Sequence, residues 1–186
     1  IVVHFAGLSP DMQKINFLAK KYKFKVIEDA SHSFGGKFKK KFVGSCENSD
    51  LTTFSFHALK TITSAEGGAI TTNSKKIYDK LKLYRENGII KKKSIRFNNY
   101  DQISLGLNNR MSEVNASLLN SQLKKYSKFI NLRKKIHKRY QNFLSRYNVS
   151  IQKQKKDTIS SHHLLIVVLK GRKISRDNLI NILYKK

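Results

Sequence analysis

Lys60 closes the run Phe54-Ser55-Phe56-His57-Ala58-Leu59-Lys60. A lysine amine can form a Schiff base with an aldehyde and, once displaced, act as a base. Asp29 follows a second apolar run, Phe24-Lys25-Val26-Ile27-Glu28. If both runs are strands of an open α/β sheet, Asp29 and Lys60 stand near its carboxyl edge, where such sheets bind ligands. A carboxylate beside a lysine there suits pyridoxal 5'-phosphate chemistry. The amine carries the cofactor and the proton, and the carboxylate keeps the pyridine nitrogen protonated. Ser55 adds a hydroxyl that can donate to the cofactor phosphate, a charge-assisted contact of about 1.5–3 kcal/mol. On spacing alone, plainer readings stay open: Lys60 as one surface lysine among many, Asp29 as a turn residue, Ser55 as a locally bonded strand residue.

The elements that must position these groups can be read along the chain. Ser9-Pro10-Asp11 reads as a helix start, with Ser9 as N-cap and Pro10 in the first turn. Met12, Ile15, Leu18, Ala19 and Tyr22 then recur at helical spacing, giving one buried face. Strands are predicted over 24–28, 51–56 and 68–72, the last entered through the tight turn Ala65-Glu66-Gly67-Gly68. Asn73 or Ser74 opens a helix with Ile77, Leu81 and Tyr84 on one face, and Gly88 stops it. The polar stretch 89–107 reads as a long loop. Ser112 opens a long helix reaching about Tyr147, and its basic end, Arg133, Lys134, Lys135, Lys138 and Arg139, reads as a solvated face. An apolar strand, His163–Leu169, and a helix capped by Ser175 follow. The opening run Ile1–Phe5 looks like the middle of a strand, and a lone strand and helix at the other end cannot bury their own faces. A chain truncated at both ends is therefore expected.

The 186 residues are 39% hydrophobic, enough for a core. No apolar run is long enough to span a membrane. A single cysteine, Cys46, excludes an internal disulfide, fits a reducing, cytoplasmic setting, and reads as a small buried residue. The net charge of +26 admits nucleic acid, an anionic surface or a phosphorylated substrate as partner. The lysines are spread along the chain, however, in short clusters at 37–41, 91–93, 133–135 and 153–156, and no nucleic-acid-binding signature accompanies them.

Several runs, in order along nearly the whole chain, resemble the DegT/DnrJ/EryC1/StrS sugar aminotransferases, a branch of the fold-type I pyridoxal-phosphate enzymes. They are Val3-His4-Phe5-Ala6-Gly7, Ile27-Glu28-Asp29-Ala30-Ser31-His32-Ser33, and Phe54 through Lys60 to Glu66-Gly67-Gly68. Gly106-Leu107-Asn108-Asn109-Arg110-Met111, Ser121-Gln122-Leu123 and Ser161-His162-His163-Leu164 continue the resemblance. It implies an α/β fold with a mostly parallel sheet flanked by helices. Residues 1–111 would belong to the large cofactor-binding domain, 112–147 to a connecting helix, and 148–186 to the beginning of a smaller α+β domain.

The resemblance also implies roles. Lys60 would be the Schiff-base lysine, Asp29 the partner of the pyridine nitrogen, His32 the side chain stacked on the ring, and Ser55 a phosphate ligand. Asn108 would reach the phosphate of a neighbouring subunit, which implies a homodimer with shared sites. Arg110 would meet a substrate diphosphate, and His163 would lie near the sugar. Within the family, the Ala-Ser-His-Ser and Phe-His-Ala-Leu-Lys runs are most similar to the aminotransferases of pseudaminic acid biosynthesis. Those move an amino group from L-glutamate to C4 of a UDP-linked 4-keto-6-deoxy-N-acetylhexosamine. Asn109 departs from the family pattern, which has an aromatic there, and Ser64-Ala65 replaces its commoner Thr-Gly. The competing expectations are an inactive, truncated relative and a basic nucleic-acid-binding module.

Overall fold

The computed structural model describes residues 1–91, 100–171 and 174–185. The strands β1 (Val2–Val3), β2 (Ile27–Asp29), β3 (Lys37–Phe38), β4 (Lys41–Phe42), β5 (Leu51–Ser55) and β6 (Gly68–Thr71) occupy the first part, and helix α1 (Met12–Tyr22) joins β1 to β2. The central sheet has the order β1-β2-β5-β6. Its first three strands are parallel, and β6 returns antiparallel to β5. Val3, Asp29 and Thr53 lie side by side across the ladder. That register brings the carboxyl ends of three parallel strands to one edge, with Ser55 two residues beyond Thr53.

Then come α2 (Lys75–Arg85), β7 (Ile89–Lys91), β8 (Tyr100–Gln102), the 32-residue helix α3 (Glu113–Leu144), β9 (Val149–Ile151), β10 (Thr158–Ile159), β11 (Val167–Leu169) and α4 (Arg176–Tyr184). The side chains of Ser74, Ser112 and Ser175 accept the N–H groups of Ile77, Asn115 and Asn178 at the starts of α2, α3 and α4. These are the caps the sequence leads one to expect. Among the described residues, no helix is long and apolar enough to cross a membrane.

The core is small. Met12, Ala19 and Val26 are buried together, with Val2, Ile15 and Phe38 packed against them. Phe34, on the loop after β2, meets Phe54, Phe56 and Tyr126 edge-on at ring separations of 5.6, 5.9 and 6.1 Å. That aromatic cluster seats α3 on the sheet. Cys46 is buried near the Thr52 and Thr71 hydroxyls, as a small interior residue should be.

Five local expectations are corrected. Helix α1 is capped by Asp11 and not Ser9, because the Asp11 carboxylate accepts the N–H of Lys14. Leu18 and Tyr22 on that helix are exposed. Strand β2 starts at Ile27 and not Phe24, since the N–H of Phe24 bonds back to Ala19 and that of Val26 to the Asp50 carboxylate. The stretch 89–107 carries the hairpin β7–β8, with 92–99 of its expected loop outside the described residues. The expected strand His163–Leu169 forms only over Val167–Leu169, against β9. Ahead of it, the N–H groups of Ser161 and Leu164 cross to the carbonyls of Gly7 and Ala6.

Candidate active site

Asp29 is the last residue of β2, and its Oδ1 accepts the Ser31 N–H at 3.0 Å. The Ser31 hydrogen bonds outweigh the cost of burial, and His32 and Lys60 add favourable charge, so the carboxyl is held below its ordinary value of 3.8. It is ionised at neutral pH. Beneath it, His4 Nε2 lies 2.8 Å from Glu28 Oε2, and both side chains are buried. Ser49 and Thr52 hydroxyls also donate to Glu28.

Ser55 ends β5, and the chain then turns through His57 to Lys60, whose N–H bonds the His57 carbonyl at 3.0 Å. Ser55 Oγ accepts the His57 N–H at 3.4 Å, which leaves its own proton free to donate. His57 Nε2 in turn lies 3.7 Å from Glu66 Oε1. Gly67, at φ +154°, has no room for a Cβ, which would come within 2.6 Å of both the Met111 methyl and Ser64 Oγ. Lys60 itself is half-buried and opens into a cleft of about 600 Å³.

The cleft is walled by the segment around His162–Leu165 and by α3, through Phe129, Leu132, Arg133, Ile136, His137 and Tyr140. His163 packs against His32 at 4.5 Å between ring centroids, tilted by 33°, and His162 against His137 at 4.6 Å, tilted by 49°. Burial pushes His162 down to about 4, helped by the His137 and Lys134 charges. Burial likewise pushes His163 down to about 4, with His32, Lys60 and Arg133 adding repulsion. His32 is also lowered, by burial and then by Lys60, against the opposing pull of Asp29. Its Nδ1 is buried with no partner among the described residues.

Asp29, His32, Ser55, Lys60 and His163 thus come together. Asn108 and Arg110 do not join them in the Lys60 cleft: Arg110 Nε donates to Asn108 Oδ1 at 2.8 Å. Arg110 lines a separate depression with Leu83, Glu86, Ile89 and Tyr100. The sequence reading assigns no role to Arg133, His137 or His162, all of which line the Lys60 cleft. Arg133, expected on a solvated face, is half-buried instead. The only sequence signal for it was helical spacing from Phe129 and Ile130.

The profile of the DegT/DnrJ/EryC1/StrS aminotransferase family matches residues 1–186. The chain belongs to that family. Among its relatives is the UDP-4-amino-4,6-dideoxy-N-acetyl-beta-L-altrosamine transaminase of Campylobacter jejuni strain 81-176. It is 43% identical over 169 residues, which are 90% of this chain and 44% of that protein. The Helicobacter pylori enzyme of the same name is 38% identical over 125 residues, 67% of this chain and 32% of that one. The chain spans less than half the length of these curated relatives.

Among solved structures, Helicobacter pylori PseC, an aminotransferase of pseudaminic acid biosynthesis, superposes with a TM-score of 0.88 at 31% identity. The match covers 98% of this chain and 48% of that one. A Streptococcus pneumoniae sugar aminotransferase in its PLP form gives 0.87 at 26% identity, over 98% of this chain and 51% of that one. These likenesses establish the fold-type I architecture for this member of the DegT/DnrJ/EryC1/StrS family.

The residues fit the family's cofactor, pyridoxal phosphate. Asp29 supplies an ionised carboxylate, Lys60 an amine, and Ser55 a hydroxyl with a free proton. The half-buried ring of His32, its Nδ1 unpartnered, offers a stacking surface beside them.

Proposed function

We propose that this chain forms part of a pyridoxal-phosphate-dependent aminotransferase acting on a keto-sugar nucleotide. The observation that carries the reading is the meeting of Asp29 and Lys60. Asp29 ends β2, Lys60 lies on the turn after the adjacent β5, and the charge of Lys60 acts on both Asp29 and His32.

When bound, pyridoxal phosphate supplies an aldehyde that condenses with amines and a ring that takes up the electron pair left by a broken C–H bond. Lys60 would hold the cofactor covalently through Nζ and, once displaced by a substrate amine, move the proton at the reacting carbon. Asp29 Oδ would pair with the pyridine nitrogen and keep it protonated. Its lowered pKa means it does so without surrendering its own charge. His32 would cover one face of the ring and Ser55 Oγ would donate to the phosphate. His163, packed against His32 and neutral at physiological pH, would face the sugar.

The donor in this reading is L-glutamate, and the acceptor carbon is C4 of a UDP-4-keto-6-deoxy-N-acetylhexosamine. The support is the transaminase name shared by the Campylobacter jejuni and Helicobacter pylori relatives. Asn108 and Arg110, bonded to each other outside the Lys60 cleft, would serve the site of a second subunit in a homodimer, Arg110 toward the substrate diphosphate. The unbroken course of α3 supports a division at 112 and 148 into large domain, connecting helix and small domain. The single buried cysteine supports a cytoplasmic setting.

Cofactor trapping tests the proposal. The chain is incubated with pyridoxal phosphate, reduced with borohydride, and the modified peptide mapped by mass spectrometry. A single adduct on Lys60, formed ahead of the many exposed lysines, supports it. Labelling scattered over surface lysines counts against it.

A further inference from the structure

The cleft beside Lys60 holds a second cation that the chemistry above does not use. Arg133 is half-buried on α3 and lines the same cleft as Lys60. Its hydrogen bond among the described residues is a long one, 3.4 Å from Nη1 to the His163 carbonyl. A guanidinium has five N–H donors, so most of its fork is left to meet something else.

Among the described residues, no Asp or Glu lines this cleft. Asp29, which bonds Ser31, and Glu66, which faces His57, are not among its lining residues. A charged side chain withdrawn from water ordinarily has a counter-charge. Arg133 and Lys60 also act on the same imidazole, that of His163, so their charges converge on one small volume. The neighbouring basic residues Lys134, Lys135, Lys138 and Arg139 do not line the cleft, which sets Arg133 apart from the rest of the basic run. Around Arg133 the α3 wall of the cleft is largely apolar and aromatic, from Phe129, Leu132, Ile136 and Tyr140. Low-polarity walls lessen screening and strengthen the pull on an anion.

We propose that Arg133 is an oxyanion subsite of the Lys60 cleft, taking a two-oxygen anionic group of a substrate. That group is either the carboxylate of the amino donor or the diphosphate of the sugar nucleotide. The planar fork suits two oxygens of one group in either case. Which substrate brings the anion rests on the aminotransferase reading, whereas the cationic cleft stands on its own geometry.

The test is calorimetric titration of the whole chain with pyrophosphate and, separately, with glutarate, repeated on R133Q and R133K. At least one anion should bind the unaltered chain, and R133Q should weaken it by about tenfold or more. R133K should fall between, because it keeps the charge and loses the fork. The His163 C2–H resonance should shift during titration of the chain and of R133K but not of R133Q, a readout that a merely structural role would not move. Preference for pyrophosphate assigns the subsite to the nucleotide; preference for glutarate assigns it to the amino donor. Failure of both anions to bind, or equal binding by chain and R133Q, overturns the proposal. Borohydride labelling of Lys60 is scored in parallel. Labelling without anion binding removes the subsite and leaves the cofactor reading, and anion binding without labelling does the reverse.

Discussion

Ser161 Oγ donates a 2.6 Å hydrogen bond to the carbonyl oxygen of His32, a residue 129 positions earlier in the chain. The Ser161 N–H meets the Gly7 carbonyl at 3.0 Å, and the serine is wholly buried. The loop after β10 is thereby tied to the loops after β1 and β2, and the packed rings of His32 and His163 flank the tie. One serine thus holds the loop of His32 through its hydroxyl and that of Gly7 through its N–H.

Removing that hydroxyl should be costly. Ser161→Ala leaves a carbonyl short of its donor, and about 1–3 kcal/mol of stability should be lost in urea denaturation. Gly7→Ala should also destabilise, because Gly7 sits at φ +94° and its added Cβ would stand 2.2 Å from Ser161 Oγ. The left-handed backbone alone costs an alanine about 1–2 kcal/mol. In the double variant Gly7→Ala/Ser161→Ala the contact with the hydroxyl is gone, while the 3.1 Å approaches to the His163 nitrogen and His32 carbonyl and the backbone strain stay, so the combined loss should be less than additive.

Glu28 sets an acid limit on stability. Burial opposes its ionisation, but hydrogen bonds from His4, Ser49 and Thr52 prevail, and its pKa lies below the ordinary 4.5. A depressed carboxyl stabilises the fold above its unfolded pKa, and that contribution fades as pH falls below about 4.5. The melting-temperature gap between the chain and Glu28→Gln should therefore be wide near neutrality and close in acid. Glu28→Ala, which leaves the buried His4 imidazole without its partner, should cost about 1–3 kcal/mol.

His162 and His163 work over a higher pH window. Each is pushed down to about 4 from an ordinary 6.5, first by burial. The unfolded chain takes up their protons near 6.5 while the folded chain resists until about 4, so stability should fall as pH drops through that interval. Thermal melts across the interval check the sign. The double variant His162→Asn/His163→Asn should show a flatter dependence, and NMR titration should give C2–H midpoints for both near 4.

Lys60→Ala should abolish cofactor labelling and, in the enzyme, turnover. Asp29→Asn should leave the melting temperature nearly unchanged, because an amide oxygen can still accept the Ser31 N–H that the Asp29 carboxylate holds. It should still lower turnover sharply, since a neutral amide no longer holds the ring nitrogen protonated. A variant of Lys60 with near-normal rates would end the aminotransferase reading.

Much of this was visible along the chain because it depends on near neighbours. A serine caps a helix through an N–H three residues away, so Ser74, Ser112 and Ser175 could be read directly. At Ser9 the same logic picked the wrong oxygen, since Asp11 is an equally good cap and stands three residues before Lys14, whose N–H it accepts. The strand ahead of Val167 was over-read for a related reason. Apolar character marks a segment that will be buried, but it does not say which backbone groups will bond it.

The sequence by itself determined which residues could carry the chemistry. Asp29 and Lys60 each follow a strand, and parallel strands deliver their carboxyl ends to one edge. Only the tertiary structure decided what surrounds them. The pairing of His32 with His163, the tie from Ser161 to Gly7 and the turning of Arg133 into the cleft all join positions about a hundred or more residues apart or select one face of a long helix. Spacing rules reach a few residues, whereas these contacts are chosen by how whole elements pack: Phe34 against Tyr126 fixes the seat of α3, and that seat decides which of its basic side chains leaves water.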